Sequence, residues 1–205
     1  MKEYPPGSTR PGGFFCTQKP GDTSQATLKI LPPKRAETRG YHMIRTYPTT
    51  SYLTAITRVA PSAPARYLHE ADRLRGRCLD YGCGRGKDAD TYGMDKYDPH
   101  FFPQAPTGTY DTITCTYVLN VLDPEDVPKV LQEVCSLLAP GGTAYFSVRR
   151  DLKSPAVEGR GTTQHNVVIN APILRQTRGY CLYVLADGVY VTRQVIAGNF
   201  EVLQP

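Results

Sequence analysis

The sequence predicts an α/β fold: a mostly parallel sheet that finishes with an antiparallel hairpin. Three observations support this prediction. Strand-like and helix-like segments alternate between residues 62 and 148, a glycine-rich turn directly follows the first strand, and the chain after Arg150 becomes β-rich. Strand–helix–strand alternation is typical of an open parallel sheet with helices on both faces. A parallel sheet that ends in an antiparallel pair is a recurrent mixed arrangement.

The first elements lie on either side of Gly76. Residues 52–58 are compatible with a short strand or a turn. A helix is predicted from Ser62, a suitable N-cap, to Leu74, because Pro64 falls in its first turn and apolar residues then recur on one face. Short β-branched and apolar segments then predict strands at 77–81, 92–98 and 111–119.

A second helix and several strands complete the prediction. Acidic residues from Asp123 onward indicate a helix N-terminus, and apolar residues recur at helical spacing until Pro140-Gly-Gly stops the helix. Further strands are predicted at 143–148, 165–170, 180–186 and 189–196. Asp187-Gly188 is a good hairpin turn between the last two.

Composition fits one domain that can bury a core. The 205 residues are 40% hydrophobic and 21% charged, which argues against disorder throughout. Apolar runs are too short to span a membrane and the N-terminus has no apolar signal region, so we expect an intracellular protein. The six cysteines form no CxxC pair and no zinc spacing, so we expect reduced, buried thiols and no metal.

Basic charge is concentrated in residues 1–45, ahead of a domain at 46–205. This Pro/Gly-rich arm holds eight Lys/Arg and three Asp/Glu, a net +5, whereas the remaining residues sum to zero. We expect the arm to be extended or partly disordered. The asymmetry is compatible with a nucleic-acid partner, and equally with a solubilising tail. The oligomeric state and any protein partner stay open.

The glycine turn after the first predicted strand is the most informative segment. It reads D-x-G-x-G-x-G from Asp80, and Lys87 stands where the dinucleotide fingerprint requires glycine. Glycines let a backbone turn pass close to a ligand at the carboxyl end of a strand. The acidic side chain before them suits an ammonium group and repels a pyrophosphate. The turn therefore favours an amino-acid-bearing nucleoside over NAD.

Over residues 52–151 the chain resembles the Rossmann-like class I S-adenosylmethionine-dependent methyltransferases. LDYGCGRGKD resembles their first motif, Tyr97-Asp98-Pro99 the acidic end of their second strand, DTITCTYVLN their fourth strand, and LLAPGGTAYFSV the following helix, turn and strand. Shorter strings, such as TAITR and YDPHFFP, are similar to small phage methyltransferases and to methyltransferases associated with DNA phosphorothioation. That narrower resemblance implies a setting of DNA modification or defence.

The resemblance also implies a set of cofactor-binding residues for S-adenosylmethionine. The methionine part would lie on Asp80, Gly82, Cys83 and Gly84, the ribose on Asp98 beside Pro99, and the methyl side against Thr116, Tyr117 and Asn120. Only about fourteen residues separate Gly84 from Asp98, so the helix between them must be short. As alternatives, Asp80 caps a helix, Asp98 forms a turn, and Asn120 bridges backbone groups.

The candidates for catalysis are Tyr117, Asn120 and His100. Methyl transfer needs an in-line nucleophile at close range, and a general base is optional. The [DNS]-P-P-[YFW] tetrapeptide of amine methylation is absent, since Cys115-Thr-Tyr-Val stands in its place, and no Pro-Cys dipeptide occurs. His100 is a candidate base, although a lone histidine is more often structural or exposed. Gln164 and His165 are weaker candidates for facing the pocket.

Four arginines are candidates for contacting phosphate or substrate, and the narrower resemblance implies that Arg58 and Arg66 either help to close the cofactor site or clamp phosphate. Arg58 and Arg66 flank the segment before the first strand, and Arg149 and Arg150 follow the 143–148 strand. The alternative for all four is ordinary surface charge. Tyrosines among the basic residues near the N-terminus, Tyr41, Tyr47 and Tyr52, suit stacking on single-stranded bases or edges of the core.

These observations together predict an S-adenosylmethionine-dependent methyltransferase that acts on nucleic acid. Two other classes of function stay open at this point. The chain is alternatively a catalytically silent subunit that binds S-adenosylmethionine, or a methyltransferase for small molecules or proteins.

Overall fold

A computed structural model of the chain describes residues 50–153, 156–158, 162–186 and 200–202. The predicted arm at 1–45 and the predicted strand at 189–196 with its turn lie outside these residues, so they stay predictions. No helix in the described part of the chain is both long and apolar enough to cross a membrane.

The fold centres on a six-stranded sheet. The described residues contain ten strands, in chain order β1 Cys78–Tyr81, β2 Asp95–Tyr97, β3 Tyr110–Thr116, β4 Leu138–Arg149, β5 Ala156–Glu158, β6 Thr163–His165, β7 Val167–Ile169, β8 Ile173–Gln176, β9 Tyr180–Ala186 and β10 Phe200–Val202. The sheet order is β2-β1-β3-β4-β9-β8, and β5–β6 and β7–β10 form two small antiparallel pairs.

The predicted mixture of parallel and antiparallel strands is confirmed. β2, β1, β3 and β4 run parallel, β9 pairs antiparallel with β4, and β8 pairs antiparallel with β9. Among the described residues, β9 therefore has a second antiparallel partner besides β4, namely β8, a strand that the sequence did not predict. Its residues alternate poorly and are mostly exposed, which is typical of an edge strand.

Helices cover both faces of the sheet. They are α1 Ala63–Glu70, α2 Lys87–Tyr92 and α3 Val127–Ser136, with 3₁₀ helices at Ser51–Thr54 and Leu119–Val121. Successive residues of β4 face opposite sides of the sheet. Phe146 packs on one side in the large cluster that contains residues of α3, and Tyr145 packs on the other side with Leu68 of α1. The predicted helices on both faces are thus present.

Three predicted elements prove shorter because the backbone enters the left-handed region. α1 stops at Glu70 rather than Leu74, with Asp72 at φ 50°. The predicted strand at 92–98 loses its first residues, since α2 continues to Tyr92 and Gly93, at φ 67°, ends that helix. β3 ends at Thr116 rather than residue 119, because Tyr117 lies at φ 60°. A residue in this conformation commonly terminates a helix or a strand.

The segment around α3 differs from its prediction at both ends. The acidic residues from Asp123 to Asp126 form a turn before the helix, with the Asp126 N–H donating to the Asp123 carbonyl at 2.9 Å. The helix already ends at Ser136, so Pro140-Gly-Gly does not stop it. These three residues lie inside β4 instead. A Cβ on Gly142 would lie 2.9 Å from the carbonyl oxygens of Ala139 and Tyr110, so only glycine fits there.

The α3 face of the sheet carries a large share of the core, and a single truncation tests it. Leu131 is fully buried, so Leu131→Ala leaves a cavity and is expected to lower the free energy of unfolding by about 2–5 kcal/mol. Gln132→Ala, on the exposed side of the same helix, is the control and should change stability by less than about 0.5 kcal/mol. Urea unfolding measures both, and equal losses would contradict the assigned packing.

Candidate active site

A cavity of about 420 Å³ lies where β1, β2 and β3 end. Ligands of open α/β sheets bind at the carboxyl ends of the strands, and this volume is within the usual range for small-molecule sites. The lining comes from the strand ends and from the segment before α1: residues 51–52, 54–56, 58, 80–85, 87–88, 98–100, 116–118 and 121–122.

The glycine turn forms the floor of this cavity. Gly82, Gly84 and Gly86 all have positive φ, at 72°, 54° and 78°. A Cβ on Gly82 would lie 2.3 Å from Cγ2 of Val118, so glycine is required there for space as well as for conformation. The N–H groups of Gly82 and Cys83 donate to the Tyr97 carbonyl at 2.7 and 3.0 Å, which ties the turn to the end of β2.

Asp80 lies behind the turn with only 3% of its surface exposed. Its Oδ1 accepts a hydrogen bond from the Thr114 hydroxyl at 2.9 Å. Burial, followed by the nearby carboxylate of Asp88, raises the pKa of Asp80 to about 7, although the Thr114 bond and Arg58 lower it. The predicted alternative, a helix cap, is not what the side chain does; at the α1 N-terminus the Ser62 hydroxyl accepts from Ala65 N–H at 3.2 Å, and Asp88 Oδ1 accepts from Ser62 N–H at 2.7 Å.

Asp98 both forms a turn and lines the cavity. Its Oδ1 accepts from the N–H groups of His100 and Phe101 at 2.9 and 3.0 Å, as the turn-forming alternative predicts. Its Oδ2 accepts from Gly84 N–H at 2.9 Å, so the same carboxylate holds the glycine turn. Because a carboxylate oxygen can accept two bonds, Oδ2 keeps capacity for a further donor.

Tyr117 and Arg58 form the side of the cavity at the end of β3. The Tyr117 N–H donates to the Ser147 carbonyl at 2.9 Å, and the Arg58 guanidinium carbon lies 5.7 Å from the Tyr117 ring centre. Burial raises the pKa of Tyr117 to about 12, although Arg58 lowers it. The phenol therefore keeps its proton at neutral pH and serves as a hydrogen-bond donor.

The segment at 51–56 forms a wall that the sequence reasoning did not assign to the site. Tyr52 stacks on His100 with ring centres 3.9 Å apart, and Arg85 Nε donates to the Ala55 carbonyl at 3.3 Å. Ile56 is 64% exposed although it lines the cavity. The sequence predicted only a short strand or a turn at 52–58, and neither that prediction nor the TAITR string located a wall of the site.

The cavity brings together most of the predicted site residues, which are Arg58, Asp80, Gly82, Cys83, Gly84, Asp98, Pro99, His100, Thr116 and Tyr117. Among them, Cys83 carries a thiol whose pKa is raised by burial and by Asp80, so it stays protonated. Their individual roles stay predictions.

Asn120 and Arg149 do not line the cavity. Asn120 is fully buried; its Nδ2 donates to the His165 carbonyl at 2.7 Å and its Oδ1 accepts from Arg149 N–H at 2.8 Å. It therefore bridges backbone groups, as the alternative held. The Arg149 guanidinium is held by both Asp151 oxygens at 2.9 Å and by Gln164 at 2.5 Å.

Arg66 and Arg150 also lie outside the cavity, and both are exposed. Arg150 Nη1 donates to the Thr177 carbonyl at 3.0 Å, and Arg66 lies on α1. Gln164 and His165 belong to β6 and do not line the cavity either.

The buried carboxylate of Asp80 makes a prediction about pH. The native protein retains a proton up to about pH 7 that the unfolded chain releases near 3.8, so wild type should lose stability relative to Asp80→Asn as pH rises between these values. We expect the variant to be the more stable protein at pH 8 and the difference to vanish at low pH. Urea unfolding from pH 4 to 8 measures this, with the exposed Asp95→Asn as control; parallel profiles would contradict it.

Comparisons with known proteins agree with this geometry. A family model described as a methyltransferase domain matches residues 52–168, more than half of the chain. No curated protein matches. Among solved structures, the chain is similar to the Burkholderia thailandensis 1,6-didemethyltoxoflavin-N1-methyltransferase with bound 1,6-didemethyltoxoflavin and S-adenosylhomocysteine: 16% identity, TM-score 0.48, covering 61% of this chain and 77% of that chain.

Two further solved structures are similar at 13% identity and a TM-score of 0.39. The magnesium protoporphyrin IX methyltransferase of Synechocystis PCC 6803 with bound S-adenosylmethionine covers 61% of this chain and 76% of its own. The N-methyltransferase NodS from Bradyrhizobium japonicum WM9 with S-adenosylhomocysteine covers 60% and 84%. On the strength of the family match, the chain belongs to the methyltransferase-domain family, and its mostly parallel sheet has the predicted Rossmann-like arrangement.

Proposed function

We propose that the cavity binds S-adenosylmethionine with its methionine part over the glycine turn, and that the enzyme methylates nucleic acid. The observation that carries the first half is the buried Asp80 carboxylate directly behind the turn, in the same cavity as Arg58. The amino-acid end of the cofactor has an ammonium and a carboxylate. Asp80 suits the ammonium and Arg58 suits the carboxylate, so the two opposite charges of the cavity match those of the ligand.

Asp98 suits the ribose of the same cofactor. Its Oδ2 has capacity for one more donor beside the Gly84 N–H, and a ribose hydroxyl is a donor of the right kind. The open glycine turn suits a close approach of the ligand to the backbone. Charge, volume and donor capacity therefore all fit the cofactor that the family uses.

S-Adenosylmethionine supplies a methyl group on a positively charged sulfur, and the acceptor atom attacks that carbon in line. The residues of this chain hold the acceptor in place and exclude water. Tyr117, protonated at neutral pH, donates a hydrogen bond to the acceptor at the end of β3. His100, exposed at the mouth of the cavity, takes the proton when the acceptor must lose one.

Charge and aromatic residues favour nucleic acid as the acceptor. All of the net +5 lies in residues 1–45, which suits a polyanion. Arg58, Arg85 and Lys87 place positive charge on the lining of the cavity itself. The stacked Tyr52 and His100 rings at its mouth suit an unstacked base, because base–aromatic stacking tolerates any sequence. The DNA-modification setting implied by the narrower resemblance is part of this proposal.

Cofactor binding is tested by calorimetric titration of S-adenosylmethionine. Asp80→Asn and Arg58→Gln each remove one charged partner, so each should weaken binding by about 10–100-fold. Wild-type affinity should also fall below pH 7, by about tenfold per pH unit, because the ammonium needs the ionised form of Asp80. Asp95→Asn makes the same chemical change outside the cavity and should bind normally. Unchanged affinity in both cavity variants would refute the proposed orientation.

The acceptor is tested with the full-length protein and radiolabelled cofactor. Replacing Lys29, Lys34, Arg35 and Arg39 with Gln should weaken binding to single-stranded DNA or RNA and reduce its salt dependence, while S-adenosylmethionine affinity stays the same. Label should pass to the nucleic acid in wild type. Unchanged nucleic-acid affinity would assign the arm to solubility alone. Cofactor binding without transfer to nucleic acid would favour a small-molecule or protein acceptor, or a silent subunit.

A further inference from the structure

A second cleft of about 300 Å³ lies beside the turn that joins β8 to β9. α1 supplies Arg66, Tyr67 and Glu70, and the two strands with their turn supply Arg175, Thr177 and Tyr180. The turn is rigid, since the Thr177 hydroxyl accepts from the N–H groups of Gly179 and Tyr180 at 3.2 and 3.0 Å. This cleft has no part in the cofactor site described above.

The cleft opens on the same edge of the sheet as the cavity. β9 runs antiparallel to β4, so Tyr180 at its start pairs with Arg149 at the carboxyl end of β4. Tyr117 connects the two sites: it lines the cavity and also packs in the cluster that contains Tyr67 and Tyr180. Tyr117 therefore belongs both to the lining of the cavity and to the packing beside the cleft.

Positive charge dominates the cleft and its rim. Arg66 and Arg175 line it, Arg150 is bonded to the Thr177 carbonyl, and Arg178 lies in the turn. Within the described residues, none of these four arginines has a carboxylate within 4.0 Å, and Glu70 is the acidic residue of the lining. The Arg175 guanidinium carbon lies 4.3 Å from the Tyr67 ring centre, a cation–π contact that holds this side chain at the cleft.

We propose that this cleft binds the phosphodiester backbone of a single-stranded nucleic-acid acceptor whose target base enters the cavity past Tyr117. The inference rests on the proposed function and names where its acceptor lies. Several arginines without acidic partners suit phosphate oxygens, which guanidinium groups bind in bidentate fashion. A single strand fits best, because a base has to leave its stack to reach a reaction centre in a cavity.

The test is the affinity of full-length protein for a fluorescent single-stranded oligonucleotide, measured against salt. The double variant Arg66→Gln/Arg175→Gln should bind at least tenfold more weakly at 0.15 M salt. The slope of log affinity against log salt concentration should also fall by about 1.4, because each of the two lost phosphate contacts contributes about 0.7. Arg66→Lys/Arg175→Lys keeps the charges and should restore the slope. Arg75→Gln/Lys129→Gln, an equal charge loss at two exposed residues away from the cleft, is the control and should bind normally.

Each outcome has a separate meaning. If wild type binds the oligonucleotide and Arg66→Gln/Arg175→Gln binds it with the same affinity and salt slope, the cleft is not the binding site. The proposal of a nucleic-acid acceptor would then still stand. Failure of wild type to bind the oligonucleotide at all would overturn the proposed acceptor, and the cleft with it. Tighter binding of a duplex of the same sequence would overturn the single-stranded form. S-Adenosylmethionine titration of every variant should give the wild-type affinity, because the cleft residues lie outside the cavity.

Discussion

The site depends on a carboxylate that the fold buries at the end of a central strand. Asp80 lies in β1, which is paired with a strand on each side, so its side chain cannot turn toward solvent. It accepts a hydrogen bond from Thr114 of the neighbouring strand β3. A buried charge is expensive unless it has a partner. Burial therefore favours the protonated acid and raises the pKa of Asp80. In the proposed orientation the cofactor's ammonium favours the carboxylate, so cofactor binding and proton release would be linked at this one side chain.

A second carboxylate fixes the shape around the first. Asp98 joins the glycine turn to the loop after β2, and the turn is also bonded to the Tyr97 carbonyl. With its two ends held, the chain has room for only the six-residue α2 between them. Gly82 lets the turn pass against Val118 without a clash. The short separation of Gly84 and Asp98 in the sequence thus matches the bonds that hold the turn to the end of β2.

The sequence predicted the part of the site whose conformation depends on residues close together in the chain. The acidic residue, the alternating glycines and Asp98 lie within a short stretch, and their conformational demands are visible in the residue types themselves. The position of Asn120 outside the cavity was not predictable, because its bonds reach His165 and the Arg149 backbone, partners remote in sequence. Pro140-Gly-Gly resembles a helix stop, yet the close approach of Tyr110 makes it part of β4. The edge strand β8 is too exposed for its residues to carry a pattern.

Tyr117 lies at the carboxyl edge of the sheet, in the lining of the cavity and in the packing beside the cleft. Its backbone conformation is strained. A tyrosine at φ 60° carries about 1–3 kcal/mol of strain and persists only where its surroundings hold it. Here the Ser147 carbonyl accepts its N–H, Arg58 lies over its ring, and the Tyr67–Tyr180 cluster packs behind it. In the proposed function, this residue is the hydrogen-bond donor beside both the cofactor and the acceptor.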